Sequence, residues 1–103
     1  MLRPKGQQGS WFAKWEGEDL PCVHRHWTKR CWPAYLDPNV DDRPEWPHFI
    51  EALATGGKAI LTTSHIEGNK WRRANYVAVW EIADVVAENG ELRFTFVRPL
   101  FQF

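Results

Sequence analysis

Two cysteines and two histidines lie close together near the N-terminus. Cys22, His24 and His26 alternate along a segment with strand-like composition, and Cys31 follows. Alternate residues of a strand share a face, and two thiolates with two imidazoles suit tetrahedral zinc. The spacing differs from that of small zinc sites, whose ligand pairs are closer. We expect no cofactor; zinc at these four residues is the alternative to two small buried thiols and two polar histidines.

Aromatic and basic residues are interleaved in two segments. Residues 24–32 run His-Arg-His-Trp-Thr-Lys-Arg-Cys-Trp, and residues 70–73 run Lys-Trp-Arg-Arg. Aromatic rings stack on nucleobases, while guanidinium and ammonium groups contact phosphates. The chain of 103 residues contains seven tryptophans, more than one small core can bury with every indole N–H partnered. Some tryptophans should therefore be exposed or line a cavity, Trp71 foremost, although the alternative is that they are core residues.

A third set contains residues able to act in catalysis, namely Lys58, Thr62, Thr63, Ser64 and His65. Neighbours on a strand face opposite ways, so Ser64 and His65 do not make a nucleophile and its base. The sequence also lacks the spacing of a nucleophile elbow, a phosphate loop or an HExxH helix. These residues do not decide whether the protein is an enzyme. We expect a protein without catalytic activity.

The first half of the chain predicts a hairpin, a long loop and a helix. Residues 10–15 and 20–27 have strand patterns on either side of a polar turn, and four prolines in 33–47 exclude a regular element there. A helical face then follows, because its apolar positions recur every three or four residues. Its members are Trp46, Phe49, Ile50, Leu53 and Ala54. Gly56 and Gly57 supply the stop.

The second half predicts strands at 58–63, 76–82 and 92–98, with a polar basic loop at 64–75. Asn89 and Gly90 suit the positive φ angles of a type I′ hairpin turn. Residues 99–103 are apolar, and we expect them to lie on the chain's own core rather than at an interface. The predicted fold class is α+β: a small, mostly antiparallel β-barrel of about five to six strands with one short helix. Residues 1–9 are a predicted flexible N-terminus and 10–103 a single domain.

Composition limits the function classes. A hydrophobic fraction of 44% with 25% charged residues excludes a disordered chain, and the absence of a long apolar run or signal-like start predicts a cytoplasmic protein without a membrane partner. The 13 basic and 13 acidic residues cancel, which excludes polyanion binding by bulk charge. The charge is nevertheless segregated: 1–36 and 58–76 are basic, whereas 37–57 and 77–103 are acidic.

The predicted helix ends in Gly-Gly-Lys and is followed by Ala-Ile-Leu-Thr-Thr, a variable loop and Tyr-Val-Ala-Val-Trp-Glu-Ile-Ala-Asp-Val. This order of segments, over about residues 46–98, resembles the PUA-like superfamily, in particular its ASCH and EVE branches. The resemblance implies a small barrel whose cleft takes RNA or a flipped modified base in DNA. The cleft would lie where the 58–63 strand begins, between the 64–75 and 33–45 loops. The implied ligand-binding residues are Trp27 or Trp71 for base stacking, Lys58, Arg72 and Arg73 for phosphates, and Thr62.

Three functions follow from these observations. The first is a nucleic-acid-binding module that recognises a modified or flipped base, or a modified nucleotide, in a Trp-lined cleft. The second is a small protein-binding module or inhibitor, of phage or bacterial type, that docks on a larger protein, since Trp, Tyr and Arg also dominate protein interfaces. The third is an amidohydrolase acting on a modified nucleoside through Lys58 and Glu81. Leu61 stands where the resembling hydrolases carry threonine, which favours a binder. The oligomeric state stays open.

Overall fold

The computed structural model describes residues 11–29 and 31–103, without the side chains of residues 64–67 and 70–74. The predicted flexible N-terminus at 1–9 lies outside the described residues. The elements in chain order are β1 (Phe12–Trp15), β2 (Glu18–His24), a 3-10 helix (Arg25–Thr28), β3 (Ala34–Asp37), α1 (Glu45–Gly56), β4 (Lys58–Glu67), β5 (Lys70–Glu88) and β6 (Glu91–Gln102). The chain is therefore mostly β with one α-helix.

The six strands form one mixed sheet in the order β1-β2-β4-β5-β6-β3. All neighbouring pairs are antiparallel except β2 and β4, which run parallel. The expected closed barrel is wrong, because the sheet is open: in the described part of the chain its outermost strands, β1 and β3, do not pair with each other. Each has only four residues, and β3 lies between Pro33 and Pro38, which interrupt strand pairing.

Each face of the sheet carries its own hydrophobic cluster. The first cluster packs α1, through Trp46, Phe49 and Leu53, against the inward residues of β3 to β6. The second, on the other face, gathers Ala13, Leu20, Cys22, Ile60 and Val79. Ile60 and Leu61 are both buried yet belong to different clusters, as the alternation of a strand requires. Residues 59–62 of β4 are thus buried on both faces of the sheet.

The helix and one turn agree closely with the sequence pattern. Helix α1 buries Trp46, Phe49 and Leu53, whereas Ala54 at the edge of the predicted face is exposed. Gly57 has a φ of 66° and donates its N–H to the carbonyl of Leu53 at 3.1 Å, which is a left-handed helix end. The turn residues Asn89 and Gly90 have φ values of 54° and 76°, as a type I′ turn requires.

Several predicted boundaries are wrong. Strands β5 and β6 continue to Glu88 and Gln102, beyond the predicted ends at residues 82 and 98. Strand β2 ends at His24 rather than continuing to residue 27. The predicted proline-rich loop contains β3, which fits between two of its prolines and pairs with β6. The predicted loop at 64–75 is instead two paired strand segments joined by a turn at Gly68 and Asn69, because strand pairing is made by backbone groups and does not require apolar side chains.

Candidate functional site

A concavity of about 680 Å³ opens beside the 3-10 helix, over the middle of β4 and β5. That volume is within the range of small-molecule sites. Its described lining consists of Arg25, His26, Thr28, Lys29, Trp32, Leu61, Thr63, Val77, Ala78, Trp80 and Gln102. Three sheet strands therefore form its floor, and the segment after β2 forms its wall.

Irregular pairing shapes the floor. Leu61 of β4 is opposite Ala78 of β5, but Thr62 is opposite Tyr76, so Val77 is an extra residue on β5. A second register shift lies between Val79 and Trp80 where β5 pairs with β6. Bulges of this kind bend a strand and redirect side chains. They account for a hollow in a sheet whose neighbouring parts are well packed.

Trp32 is the most exposed aromatic residue of this lining, with half of its surface open to solvent. Its ring lies nearly parallel to the buried Phe96, with centroids 5.1 Å apart and planes 21° apart. The Trp80 ring meets it edge to face at 5.3 Å. One side of the indole is thus supported by the core while the ring stays accessible, which is the arrangement of a stacking platform.

Backbone hydrogen bonds fix the segment that carries Trp32. The Trp32 N–H donates to the carbonyl of Thr28 at 2.9 Å, and the Phe96 N–H donates to the carbonyl of Pro33 at 2.9 Å. The Thr28 hydroxyl donates to the carbonyl of Arg25 at 2.7 Å. These bonds join the wall to β6 and to the 3-10 helix, so the segment that carries Trp32 is held in place.

Charge around the concavity is one-sided. Arg25 and Lys29 both line it and are both exposed, and none of its described lining residues is acidic. Within the described residues neither cation is part of an ion pair. Two such cations beside an aromatic ring attract an anion whose uncharged part can stack.

The predicted site residues are dispersed. Trp27 packs partly buried against the first cluster and contacts His26 edge to face at 4.6 Å, but it is not part of the lining. Thr62 is completely buried, and its hydroxyl donates to the carbonyl of Val23 at 3.2 Å. The side chains of Trp71, Arg72 and Arg73 lie outside the described residues; their backbone belongs to β5.

Lys58 is not among the described lining residues of the concavity and lies three residues before Leu61 on β4. Its ammonium lies 3.6 Å from a carboxylate oxygen of Glu18. Its register partner Glu81 is 3.4 Å from the guanidinium of Arg98. The amidohydrolase hypothesis built on Lys58 and Glu81 stays a prediction, and the described contacts of both residues are ion pairs to other side chains.

The four candidate zinc ligands have separate surroundings. Cys22 is buried in the second cluster, and the Nδ1 atom of His24 lies 3.4 Å from the Thr62 hydroxyl. The Cys31 thiol donates to the carbonyl of Ala34 at 3.2 Å, while His26 lines the concavity. Among the described residues, no group of three or more His, Cys, Asp or Glu side chains is placed to hold a metal ion.

The concavity is lined by one of the two predicted aromatic-basic segments, but through Trp32 rather than Trp27. Residues 24–32 contain Arg25, Lys29 and Trp32, all of which line the concavity. Trp80 was missed because its segment, Tyr-Val-Ala-Val-Trp-Glu-Ile, is almost continuously apolar, a pattern typical of a strand buried on both faces. Alternation of aromatic and basic residues was the available signal, but it does not tell which of Trp27 and Trp32 faces inward. That depends on β2 giving way to a 3-10 helix at Arg25.

Comparison with known proteins gives no relatives: no family model, curated protein or solved structure matches this chain. In the described residues, none of the helices has the length and apolar character needed to cross a membrane. The geometry of the concavity is therefore the basis for assigning a function.

Proposed function

We propose that this protein is a nucleic-acid-binding module that stacks an unpaired or extruded base on Trp32 and contacts the adjoining phosphates through Arg25 and Lys29. The proposal rests on the half-exposed Trp32 ring, which packs on Phe96 at a concavity lined by Arg25 and Lys29. Neither cation forms an ion pair with another described residue. We propose in addition that the protein is PUA-like. The order in which α1, Gly-Gly-Lys and β4 follow one another supports this resemblance.

The energetics favour a pocket over general charge attraction. Stacking of one base on an aromatic side chain contributes about 1–3 kcal/mol, whereas extruding a base from a duplex costs a few kcal/mol and costs least for a mismatched or damaged base. The chain as a whole has zero formal net charge. The protein should therefore bind most tightly to nucleic acids that contain a base that is already unpaired or easily unpaired.

The test is binding of short fluorescein-labelled single-stranded oligonucleotides, followed by anisotropy, to the wild type and to Trp32→Ala. Loss of 1–3 kcal/mol of stacking predicts that Kd rises about 5- to 150-fold. Trp27→Ala is the matched control because it removes an indole from the same segment but not from the concavity. Equal Kd values for the wild type and Trp32→Ala would contradict the proposal.

The salt dependence provides a second measurement on the same oligonucleotides. Two phosphate contacts on a single strand predict a slope of log K against log salt of about −1.4. Replacing both Arg25 and Lys29 by Gln should bring that slope close to zero. A steep slope that survives this replacement would assign binding to charges elsewhere on the molecule.

A further inference from the structure

Strands β4 and β5 continue together beyond the rest of the sheet. The last residue of β4 that pairs with β2 is Thr62, opposite His24. The last described backbone bond from the C-terminal segment to β5 joins the Phe103 N–H to the carbonyl of Val77. Four further pairs join β4 to β5 alone, from Ser64 opposite Arg73 to Glu67 opposite Lys70. Residues 64–73 thus form a two-stranded projection, here named the β-arm.

The β-arm is basic and starts at the concavity. Its sequence contains Lys70, Arg72 and Arg73 against a single acid, Glu67. At its base the Thr63 hydroxyl accepts the Asn75 N–H at 3.2 Å, and Thr63 itself lines the concavity. The cations Arg25 and Lys29 lie in the same lining. Two basic elements from separate parts of the chain are therefore adjacent in a protein without net charge.

The dimensions of the β-arm match one nucleic-acid groove. Four residues per strand extend about 13 Å. The major groove of B-form DNA is about 12 Å wide and about 8.5 Å deep and admits a two-stranded β-ribbon, whereas the major groove of duplex RNA is too narrow for side chains to read. A projection of this length can reach the groove floor.

We infer that the ligand is duplex DNA, with the β-arm in the major groove and the extruded base in the neighbouring concavity. This inference rests on the proposed function and specifies the nucleic acid from which the base comes. The β-arm contacts the backbone and groove of the intact duplex, while Trp32 contacts only the base that leaves it.

The experiment measures binding of a labelled 16-base-pair DNA duplex with one central mismatch, the RNA duplex of the same sequence, and the DNA single strand. The arm variant replaces Lys70, Arg72 and Arg73 by Gln. Its matched control replaces the exposed Lys14, Arg93 and Arg98 by Gln, which removes the same charge from other strands. Circular dichroism and thermal unfolding verify that both variants are folded.

We expect the arm variant to weaken binding of duplex DNA about tenfold or more. Its salt slope should become shallower by about 2–3, since each phosphate contact on B-form DNA adds about 0.9. Binding of the single strand should change much less, and the control variant should bind the duplex like the wild type. The wild type should bind the RNA duplex more weakly than the DNA duplex.

The outcomes separate the two proposals. Equal losses in the arm and control variants, or equal affinity for the RNA and DNA duplexes, would overturn the inference about the β-arm. An unaffected arm variant together with a weakened Trp32→Ala would overturn the β-arm and leave base stacking in place. The reverse pattern would overturn base stacking and leave the β-arm. No binding to any of the three probes would overturn both.

Discussion

At the scale of the residue, the described tryptophans have different roles although the sequence presents them alike. Trp46 is 4% exposed in the first cluster, and Trp32 is half exposed on Phe96. Trp11 meets Trp46 edge to face at 4.7 Å. The neighbour that each ring packs against decides whether it stabilises the fold or remains available to a ligand.

Tyr35 predicts a pH dependence of stability. Burial, and then the nearby Asp37 carboxylate, raise the pKa of Tyr35 well above its usual value of 10.0. The native state therefore retains this proton to higher pH than the unfolded state, so its contribution is complete below about pH 10 and is lost as the pH rises further. Urea unfolding between pH 8 and 11 should show a smaller alkaline loss for Tyr35→Phe. Parallel curves for the two proteins would contradict this assignment.

Arg43 links the segment before the helix to two rings. Its guanidinium carbon lies 5.1 Å from the Trp11 ring and 5.8 Å from the Trp46 ring, and its Nε donates to Asp41 at 3.0 Å. Arg43→Ala should lower the free energy of unfolding by about 0.5–1 kcal/mol, the range of exposed cation–π contacts. Asp41→Asn is the control, since it removes the ion pair but keeps the cation. If both variants lose the same stability, the ring contacts contribute nothing.

At the scale of the element, the end of α1 depends on backbone conformation. Gly57 is left-handed, and a Cβ there would meet only the carbonyl oxygen of Ile82 at 3.8 Å, an ordinary contact. Gly56 is the last residue of the helix and has open space around its Cα. Neither position is crowded, so a difference in stability between the two alanine variants would report backbone strain alone.

This difference gives a paired prediction. Gly57→Ala should destabilise the protein by about 1–2 kcal/mol, because an L-residue pays that amount in the left-handed region. Gly56→Ala should be neutral or stabilise it by up to about 1 kcal/mol. Thermal or urea unfolding measures both. A destabilised Gly56→Ala, or an unaffected Gly57→Ala, would mean that the helix ends differently.

At the scale of the whole molecule, the C-terminal residues complete the second cluster. Phe101 and Phe103 lie against Trp15 with ring centroids 5.5 and 6.4 Å away, and Phe103 also contacts Tyr76. They join the end of β6 to β1, although three strands lie between these two in the sheet. Phe101 and Phe103 thus pack on the chain's own core as expected, whereas Pro99, Leu100 and Gln102 are exposed.

Removal of residues 99–103 should therefore lower stability without changing association. Two partly buried phenylalanines predict a loss of about 2–4 kcal/mol. Urea unfolding gives the stability, and light scattering should give the same number of chains per particle for both proteins. Leu100→Ala, at an exposed position, is the mild control. A smaller particle with unchanged unfolding would instead identify this end as an interface between chains.

Local pattern predicted much of the fold but little of the site. The face of α1, the Gly57 stop and the Asn89-Gly90 turn depend on residues close in sequence, and all three are present. Strand β3 was missed because its pairing partner, β6, is distant in the sequence. The β-arm was missed because its two strands are polar in sequence. Trp80 lines the concavity beside a register shift between β5 and β6, which local pattern does not predict.

The amino-acid order by itself determined the strand-rich composition, the helix, its stop and the abundance of indole rings, since each follows from side-chain type and short-range spacing. Tertiary structure alone decided that the sheet stays open, that β2 pairs in parallel with β4, and that Trp32 rather than Trp27 borders the hollow. The reason is physical: strand pairing and ring burial depend on contacts between residues distant along the chain, and local periodicity carries no information about which of those contacts wins.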